Sequence, residues 1–115
     1  MKRGDIVLIT YPFTDLSSTK LRPAVVVSSD EFTNQGEDAI FVCISSQIKN
    51  AQPFDLIFNP NDPEFSNSGL RKSSLIKIGK IICLSKNLAF RLLGKAGPNT
   101  MARIRGKLIN ILDLS

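Results

Sequence analysis

Residues 5–11 read Asp-Ile-Val-Leu-Ile-Thr-Tyr, a β-branched apolar run that stops at Pro12 and is typical of a β-strand. A second run, Pro-Ala-Val-Val-Val at residues 23–27, is too short and too β-branched for a helix. The same character recurs in three later segments, which are residues 39–44, 54–58 and 74–84. The last of these predicts one long strand or two, with Gly79 as a bulge or bend.

A helix is predicted near the C-terminus. Residues 97–100 carry helix-starting signals, with Asn99 or Thr100 as the N-cap. Apolar side chains then follow at helical spacing, at Met101, Ile104, Leu108, Ile111 and Leu112.

Three other segments show no strand pattern. Residues 28–38 are rich in turn residues, and residues 88–93 fit either a short helix or a turn. Residues 59–72 form a long polar loop, a kind that is usually functional or mobile inside a compact domain. Short, mostly non-local strands followed by one packed helix indicate a mainly β, α+β fold, a small β-barrel with a C-terminal helix. Residues 1–115 are expected to form a single domain.

Charge is unevenly distributed along the chain. The net charge is +5, but residues 71–115 carry ten basic and one acidic side chain, whereas residues 31–70 carry one basic and six acidic. A basic C-terminal third favours a polyanionic partner on one surface. The alternative is an ordinary lysine-rich face in contact with solvent.

Several classes of function are disfavoured by composition. The sequence has no histidine, so a Ser-His-Asp triad is impossible, and no phosphate-binding glycine loop is present. Cys43 and Cys83 lie in apolar runs without zinc-ligand spacing, so both are expected to be buried thiols. No cofactor and no metal are expected. No apolar run approaches the ~20 residues that cross a bilayer, and a soluble, cytoplasmic protein is expected.

Two polar spots stand out at predicted strand ends. Arg22 directly precedes Pro23, which favours an extended backbone at a strand start or edge. Residues 45–47, Ser-Ser-Gln, follow the third predicted strand. Taken alone, either spot is more often a surface charge or a turn cap than a functional site.

These blocks together resemble the MazF/PemK toxins. The similarity begins in residues 4–8, Gly-Asp-Ile-Val-Leu, and residues 20–27, Lys-Leu-Arg-Pro-Ala-Val-Val-Val. It continues through residues 44–48 and residues 69–74, Gly-Leu-Arg-Lys-Ser-Ser, and ends in the leucine-spaced helix. The blocks keep the family's order and spacing over nearly the whole chain.

The resemblance implies an SH3-like barrel that forms a homodimer and an RNA groove. It implies a type II toxin that cleaves single-stranded mRNA at specific sequences without a metal, leaving 2′,3′-cyclic phosphate and 5′-hydroxyl ends. A cognate MazE/PemI-like antitoxin would place an acidic tail in the same groove. The dimer interface would use the C-terminal helix and the strand around Ile78, although these apolar residues could equally be core.

The resemblance also assigns residues. Arg22 and Ser45 match the catalytic positions, with serine in place of the usual threonine. Some members use an arginine and an aspartate after the long loop, and the matching positions are Lys77 and Gly79, so the carboxylate is absent. The residues expected to contact RNA are Asp15, Ser18, Thr19, Lys20, Ser46, Gln47 and Lys77.

Two alternatives remain open from the sequence. One is a CcdB-like toxin, which would use the same barrel to bind DNA gyrase, because a fold does not fix a function. The other is a catalytically inactive RNA-binding barrel, favoured by the missing carboxylate and histidine.

Overall fold

The computed structural model describes residues 1–10 and 20–114. Within these ranges the chain forms six strands, two α-helices and two short 3₁₀ turns, the latter at Phe65–Ser68 and Lys86–Leu88. The strands are β1 (Asp5–Thr10), β2 (Leu21–Val26), β3 (Asp38–Ser45), β4 (Asp55–Phe58), β5 (Ser74–Ser85) and β6 (Ala89–Lys95). The helices are α1 (Asp30–Gln35) and α2 (Pro98–Leu112).

All six strands belong to one antiparallel sheet in the order β4-β5-β3-β2-β1-β6. The predicted mainly β fold with a C-terminal helix is confirmed. In the part of the chain that the structure describes, β4 and β6 are the edges of the sheet, so hydrogen bonding does not close it into a barrel.

A bulge bends the longest strand at the predicted position. Lys77 pairs with Cys43, but the next recorded partner on β5 is Ile81, opposite Val42. Residues 78–80, with Gly79 at their centre, are therefore extra residues on β5. The segment is one bent strand, and both of its halves pair with β3.

The sheet buries side chains on both faces. The larger cluster joins β-strand residues such as Ile6, Val42 and Ile78 to Met101 and Ile104 of α2. The second cluster includes Ile9, Ala24, Val26, Phe41 and Cys43. Ile78 has no exposed surface within the chain itself, so it is a core residue. Of the two thiols expected to be buried, Cys43 is buried and Cys83 is exposed, which corrects the second expectation.

The start of α2 is held by a carboxylate from the long loop. Glu64 accepts hydrogen bonds from the backbone amides of Asn99 and Thr100, at 3.0 and 2.7 Å, and from the Thr100 hydroxyl at 2.6 Å. The N-cap is Gly97, with Pro98 next, so the prediction of Asn99 or Thr100 as the cap is wrong. A side chain at Gly97 would overlap the Glu64 carboxyl group.

Two further elements differ from the sequence prediction. Residues 88–93 were expected to form a helix or turn but lie mainly in strand β6. The turn-rich segment contains α1, whose N-cap Ser29 accepts the amide of Phe32 at 3.1 Å. The Lys86 ammonium donates to the Thr33 carbonyl at 2.7 Å and ties α1 to the end of β5.

Residues 59–72 pack against β6 as an ordered segment. Gly69 has φ +76°, and a Cβ there would overlap the Leu93 carbonyl. A Cβ at Gly94 would likewise overlap the backbone of Asn67 and Ser68. Two glycines thus let the loop cross the edge strand at a separation that side chains would prevent. This crossing fixes the position of residues 70–74, which follow.

Candidate nucleic-acid interface

Arg22 and Ser45 lie at the same end of neighbouring strands. Arg22 pairs with Ile9 near the start of β2, and its side chain is exposed. The recorded β2–β3 pairing begins at Ala24 opposite Cys43. The same register, continued by two residues, sets Arg22 level with Ser45, about 5 Å away in backbone terms. Because side chains alternate along a strand, Arg22 shares a face with Ala24 and Ser45 shares a face with Cys43, so this continued register would direct both side chains to the same side of the sheet.

The Ser45 hydroxyl is oriented by the turn that follows it. Its oxygen accepts the backbone amide of Gln47 at 3.1 Å, and the residue is half-buried. A hydroxyl that accepts in this way still has its own proton to donate. Ser46 and Gln47 are exposed beyond the strand end.

A cleft of about 260 Å³ opens beside Arg22. It is lined by Leu21, Arg22, Pro23, Ile44, Ser46, Leu70, Arg71, Lys72 and Ser74. Ser45 is not among these lining residues, although its neighbours Ile44 and Ser46 are. Three of these side chains are cationic and none is acidic, so the cleft has the charge and the donors to bind phosphate groups. The sequence reasoning placed Arg71 and Lys72 in a family-like block but did not count them as site residues. The available signal was two adjacent cations at the end of a long loop.

Lys77 lies on β5, two strands away from Arg22 on β2. It pairs with Cys43 on β3, which pairs with Ala24 on β2, and with Asp55 on β4. Its ammonium is 3.1 Å from the Asp55 carboxylate, and the two side chains are 20% and 6% exposed. The same carboxylate oxygen accepts the amide of Gln52 at 2.8 Å. Lys77 is therefore ion-paired in this structure and helps to hold the turn that enters β4.

Asp55 is a carboxylate that the sequence reasoning missed. The family-matching position, Gly79, lacks an acid, but the β4–β5 register brings Asp55 directly opposite Lys77. The two residues are 22 positions apart in sequence. Only the pairing of the strands makes them neighbours.

The remaining predicted contacts divide into two groups. Lys20 is described and exposed at the start of β2, on the same end of the sheet as Arg22. Asp15, Ser18 and Thr19 lie outside the described residues.

A second cavity, with a volume of about 460 Å³, lies at the opposite end of the strands. Its walls are mostly apolar and come from the C-terminal half of α2 and from residues such as Val27, Ile40 and Ile81. It contains none of the described residues predicted for catalysis or RNA binding, so its size does not make it the functional site.

Residues 1–10 and 20–114 contain neither a metal-binding cluster nor a membrane-spanning helix. No three His, Cys, Asp or Glu side chains gather there in a way that could hold a metal ion. Neither helix is long and apolar enough to cross a membrane.

Known structures share this fold. A mycobacterial endoribonuclease in complex with its cognate antitoxin is 22% identical, with a TM-score of 0.75 over 100% of this chain and 97% of that one. MazF from Deinococcus radiodurans is 18% identical, with a TM-score of 0.76 over 99% and 97%. A MazE–MazF complex from the same organism is 21% identical, with a TM-score of 0.74 over 100% and 98%. At these identities the likeness establishes the fold alone.

Sequence comparison identifies the family. No curated protein matches the chain. The model of the PemK-like, MazF-like toxin family of type II toxin–antitoxin systems matches residues 2–112, almost the whole chain. The chain therefore belongs to the PemK-like, MazF-like toxin family.

Proposed function

We propose that the chain is a metal-independent endoribonuclease that cleaves single-stranded mRNA at specific sequences. The observation that carries the proposal is the cationic cleft beside Arg22, at the strand end that Arg22 shares with Ser45. The family match and the endoribonuclease structures with the same fold support this choice over gyrase binding. We further propose a single domain over residues 1–115.

The proposed reaction uses a nucleophile that RNA itself supplies. The 2′-hydroxyl attacks the adjacent phosphorus, an O2′–P bond forms, and the P–O5′ bond breaks. The 2′-hydroxyl proton is lost and the departing O5′ gains a proton, leaving a 2′,3′-cyclic phosphate and a 5′-hydroxyl. The protein then has to hold the reacting groups in line and stabilise the negative charge that grows on the phosphate oxygens.

Arg22 and Ser45 suit that stabilising task. The planar Arg22 guanidinium can donate two parallel hydrogen bonds to nonbridging phosphate oxygens. The Ser45 hydroxyl, fixed by the Gln47 amide, would donate a further bond to the same group.

Further RNA contacts are proposed around the cleft. Lys20, Ser46 and Gln47 are exposed near the rim and would border the RNA. Lys77 would contact RNA through the exposed part of its side chain while it stays paired with Asp55. Asp15, Ser18 and Thr19 keep the contact role predicted from the sequence.

A cognate antitoxin and a second copy of the chain are the proposed protein partners. Related folds are known in MazE–MazF and endoribonuclease–antitoxin complexes. An acidic antitoxin segment would be drawn to this cleft, whose described lining has three cations and no acid, and would compete there with RNA. Since Ile78 is buried within the chain, a dimer interface on α2 would need exposed residues such as Leu112.

The test is cleavage of a long single-stranded RNA in EDTA, with the cut ends mapped. We expect discrete cuts with 5′-hydroxyl ends. The Arg22→Ala variant should keep its fold and cut at least ~100-fold more slowly, the loss typical of removing one key electrostatic donor. Near-normal cutting by folded Arg22→Ala would remove Arg22 from the mechanism.

Arg3→Ala is the matched control. Arg3 is also exposed, but it lies at the other end of the sheet, where Gly4 bonds to Val26. This control should cut at the wild-type rate, so a loss restricted to Arg22→Ala would exclude a general effect of charge. Intact RNA across varied substrates, with gyrase retained by the protein, would instead support the CcdB-like function.

A further inference from the structure

We infer that Arg71 and Lys72 form a second phosphate-binding subsite, which holds an RNA phosphate next to the one engaged by Arg22. The inference rests on the proposed function and deepens it, because it adds a contact that fixes the position of the strand in the cleft. Neither residue was among those predicted from the sequence to touch RNA.

The charge of the cleft exceeds what one phosphate can neutralise. Arg22 lines one side, and Arg71 and Lys72 line the side formed by the segment before β5. Each phosphodiester carries a single negative charge, whereas the described residues that line the cleft present three positive charges and no carboxylate. Three like charges around about 260 Å³ repel one another unless a polyanion lies between them. Two consecutive phosphates would neutralise most of this charge.

Within residues 1–10 and 20–114, neither Arg71 nor Lys72 forms an ion pair with a carboxylate. Among the residues that the structure describes, the recorded ion pairs join Lys77 to Asp55 and Arg103 to Asp62. Both cations of the subsite are therefore available to an external anion. Lys77, by contrast, would have to share its charge with Asp55.

The backbone that carries the subsite is fixed on both sides. The Ser74 hydroxyl donates to the Lys72 carbonyl at 2.9 Å. On the other side, the buried Ser68 hydroxyl donates to the Phe65 carbonyl at 2.6 Å and accepts the Leu70 amide at 3.1 Å. Gly69, between them, packs against the Leu93 backbone. A fixed backbone reduces the ordering cost of binding to that of the two side chains.

The test compares two neutralised pairs of adjacent cations. Arg71→Gln/Lys72→Gln removes the subsite, and Lys2→Gln/Arg3→Gln removes an equal charge at the opposite end of the sheet. The probe is a fluorescent 2′-O-methyl RNA of mixed sequence, which the proposed reaction cannot cut. Affinity is measured over a range of salt concentrations, after thermal melts have shown that both variants fold.

We expect only the cleft variant to bind more weakly. Its affinity should fall about tenfold or more, and the slope of log K against log salt should become shallower by about 0.7 for each phosphate that the variant no longer neutralises. On a cleavable RNA, the same variant should raise KM while kcat stays within about threefold, the pattern expected when the removed binding is equal in ground and transition states.

Equal affinities and equal salt slopes in the two variants would overturn the subsite, whether or not the protein cuts RNA. A fall in kcat at unchanged KM would also overturn it, because the pair would then act in the transition state. Weaker binding by the cleft variant of a protein that cuts no RNA would support the subsite and contradict the proposed ribonuclease activity. The two proposals therefore fail separately.

Discussion

Ser45 gives the sharpest prediction at the scale of a single residue. Its hydroxyl oxygen accepts a hydrogen bond from the Gln47 amide, so the hydroxyl proton is left to be donated to a phosphate oxygen. Ser45→Ala should lower kcat about 100-fold, as for loss of one oxyanion donor, whereas Ser45→Thr keeps the hydroxyl and should stay within about tenfold. Single-turnover cleavage measures both. A fully active Ser45→Ala would leave the hydroxyl without a role.

Glu64 gives a pH prediction. The Thr100 hydroxyl bond and the Asn99 and Thr100 amides lower the pKa of this carboxyl group, while partial burial opposes them. A pKa that is lower in the folded state stabilises the fold above the usual value of 4.5, and this contribution is lost as pH falls through the folded pKa. The melting temperature of Glu64→Gln should therefore lie below that of wild type at neutral pH.

The gap between the two melting temperatures should narrow as the pH falls below about 4.5 and close below the lowered pKa of folded Glu64, where both folded proteins carry a neutral side chain at position 64. Thermal melts from neutral to acidic pH measure it. A gap that is constant across this range would mean that the charge of Glu64 does not stabilise α2.

Sequence reasoning could identify site residues only where the chain itself carries a local signal. Arg22 before Pro23 and Ser45 at the end of an apolar run stood out locally as candidates, and the family resemblance then assigned them the catalytic role that stays a prediction. Asp55 and Glu64 were not, because their partners lie 22 and up to 36 residues away and meet them only through folding. The local sequence around an Asp or Glu does not indicate which cation or amide its carboxylate will contact in the folded protein.

Gly69 gives the prediction at the scale of the elements. Gly69→Ala must adopt a positive φ and overlap the Leu93 carbonyl, so it should lower the free energy of unfolding by about 2 kcal/mol or more. Gly106 is the control, since it lies exposed inside α2 with no atom near its absent Cβ. Gly106→Ala should raise stability by about 1 kcal/mol.

Urea unfolding at equilibrium measures both variants. Because residues 70–74 follow Gly69 directly, Gly69→Ala should also raise KM for RNA, and Gly106→Ala should not. A stable Gly69→Ala with normal KM would show that the crossing of the loop over β6 does not position the cleft.

The regular strands and α2 were predictable because each has a clean repeat of apolar residues. Strand β6 was not, because its pairing with β1 shifts register between Ile6 and Val7 and again between Leu8 and Ile9. These shifts break the alternation, leaving Phe90 and Leu92 exposed on an edge strand. Helix α1 has only six residues and its start depends on a serine cap, so it resembles a turn in sequence.

At the scale of the whole molecule, the basic residues do not form one patch. Of the ten cations in residues 71–115, Arg71 and Lys72 line the cleft, whereas Lys77, Lys86 and Arg103 have partners inside the fold. The charge imbalance of the sequence favours a polyanionic partner but overstates the surface that would bind it. The expected salt slope is therefore small, about −1.4 for two phosphates of a single strand.

The exposed cations of α2 test this view. Neither residue of the Arg103→Gln/Arg105→Gln pair lines the cleft. This variant should therefore keep its RNA affinity within about twofold of wild type and its salt slope within about 0.3 of wild type. Fluorescence anisotropy with the 2′-O-methyl RNA measures both quantities. A loss as large as that of Arg71→Gln/Lys72→Gln would move the RNA interface to the helix.

The most direct measurement of the central claim uses two RNAs that differ in one atom. Both contain a mapped cut site, and one carries a single 2′-deoxynucleotide on the 5′ side of the scissile phosphate. In EDTA, wild-type protein should cut the all-ribose strand and leave the deoxy strand intact at that position, while it binds both. Cutting of both strands at equal rates would contradict attack by the 2′-hydroxyl and, with it, the proposed mechanism.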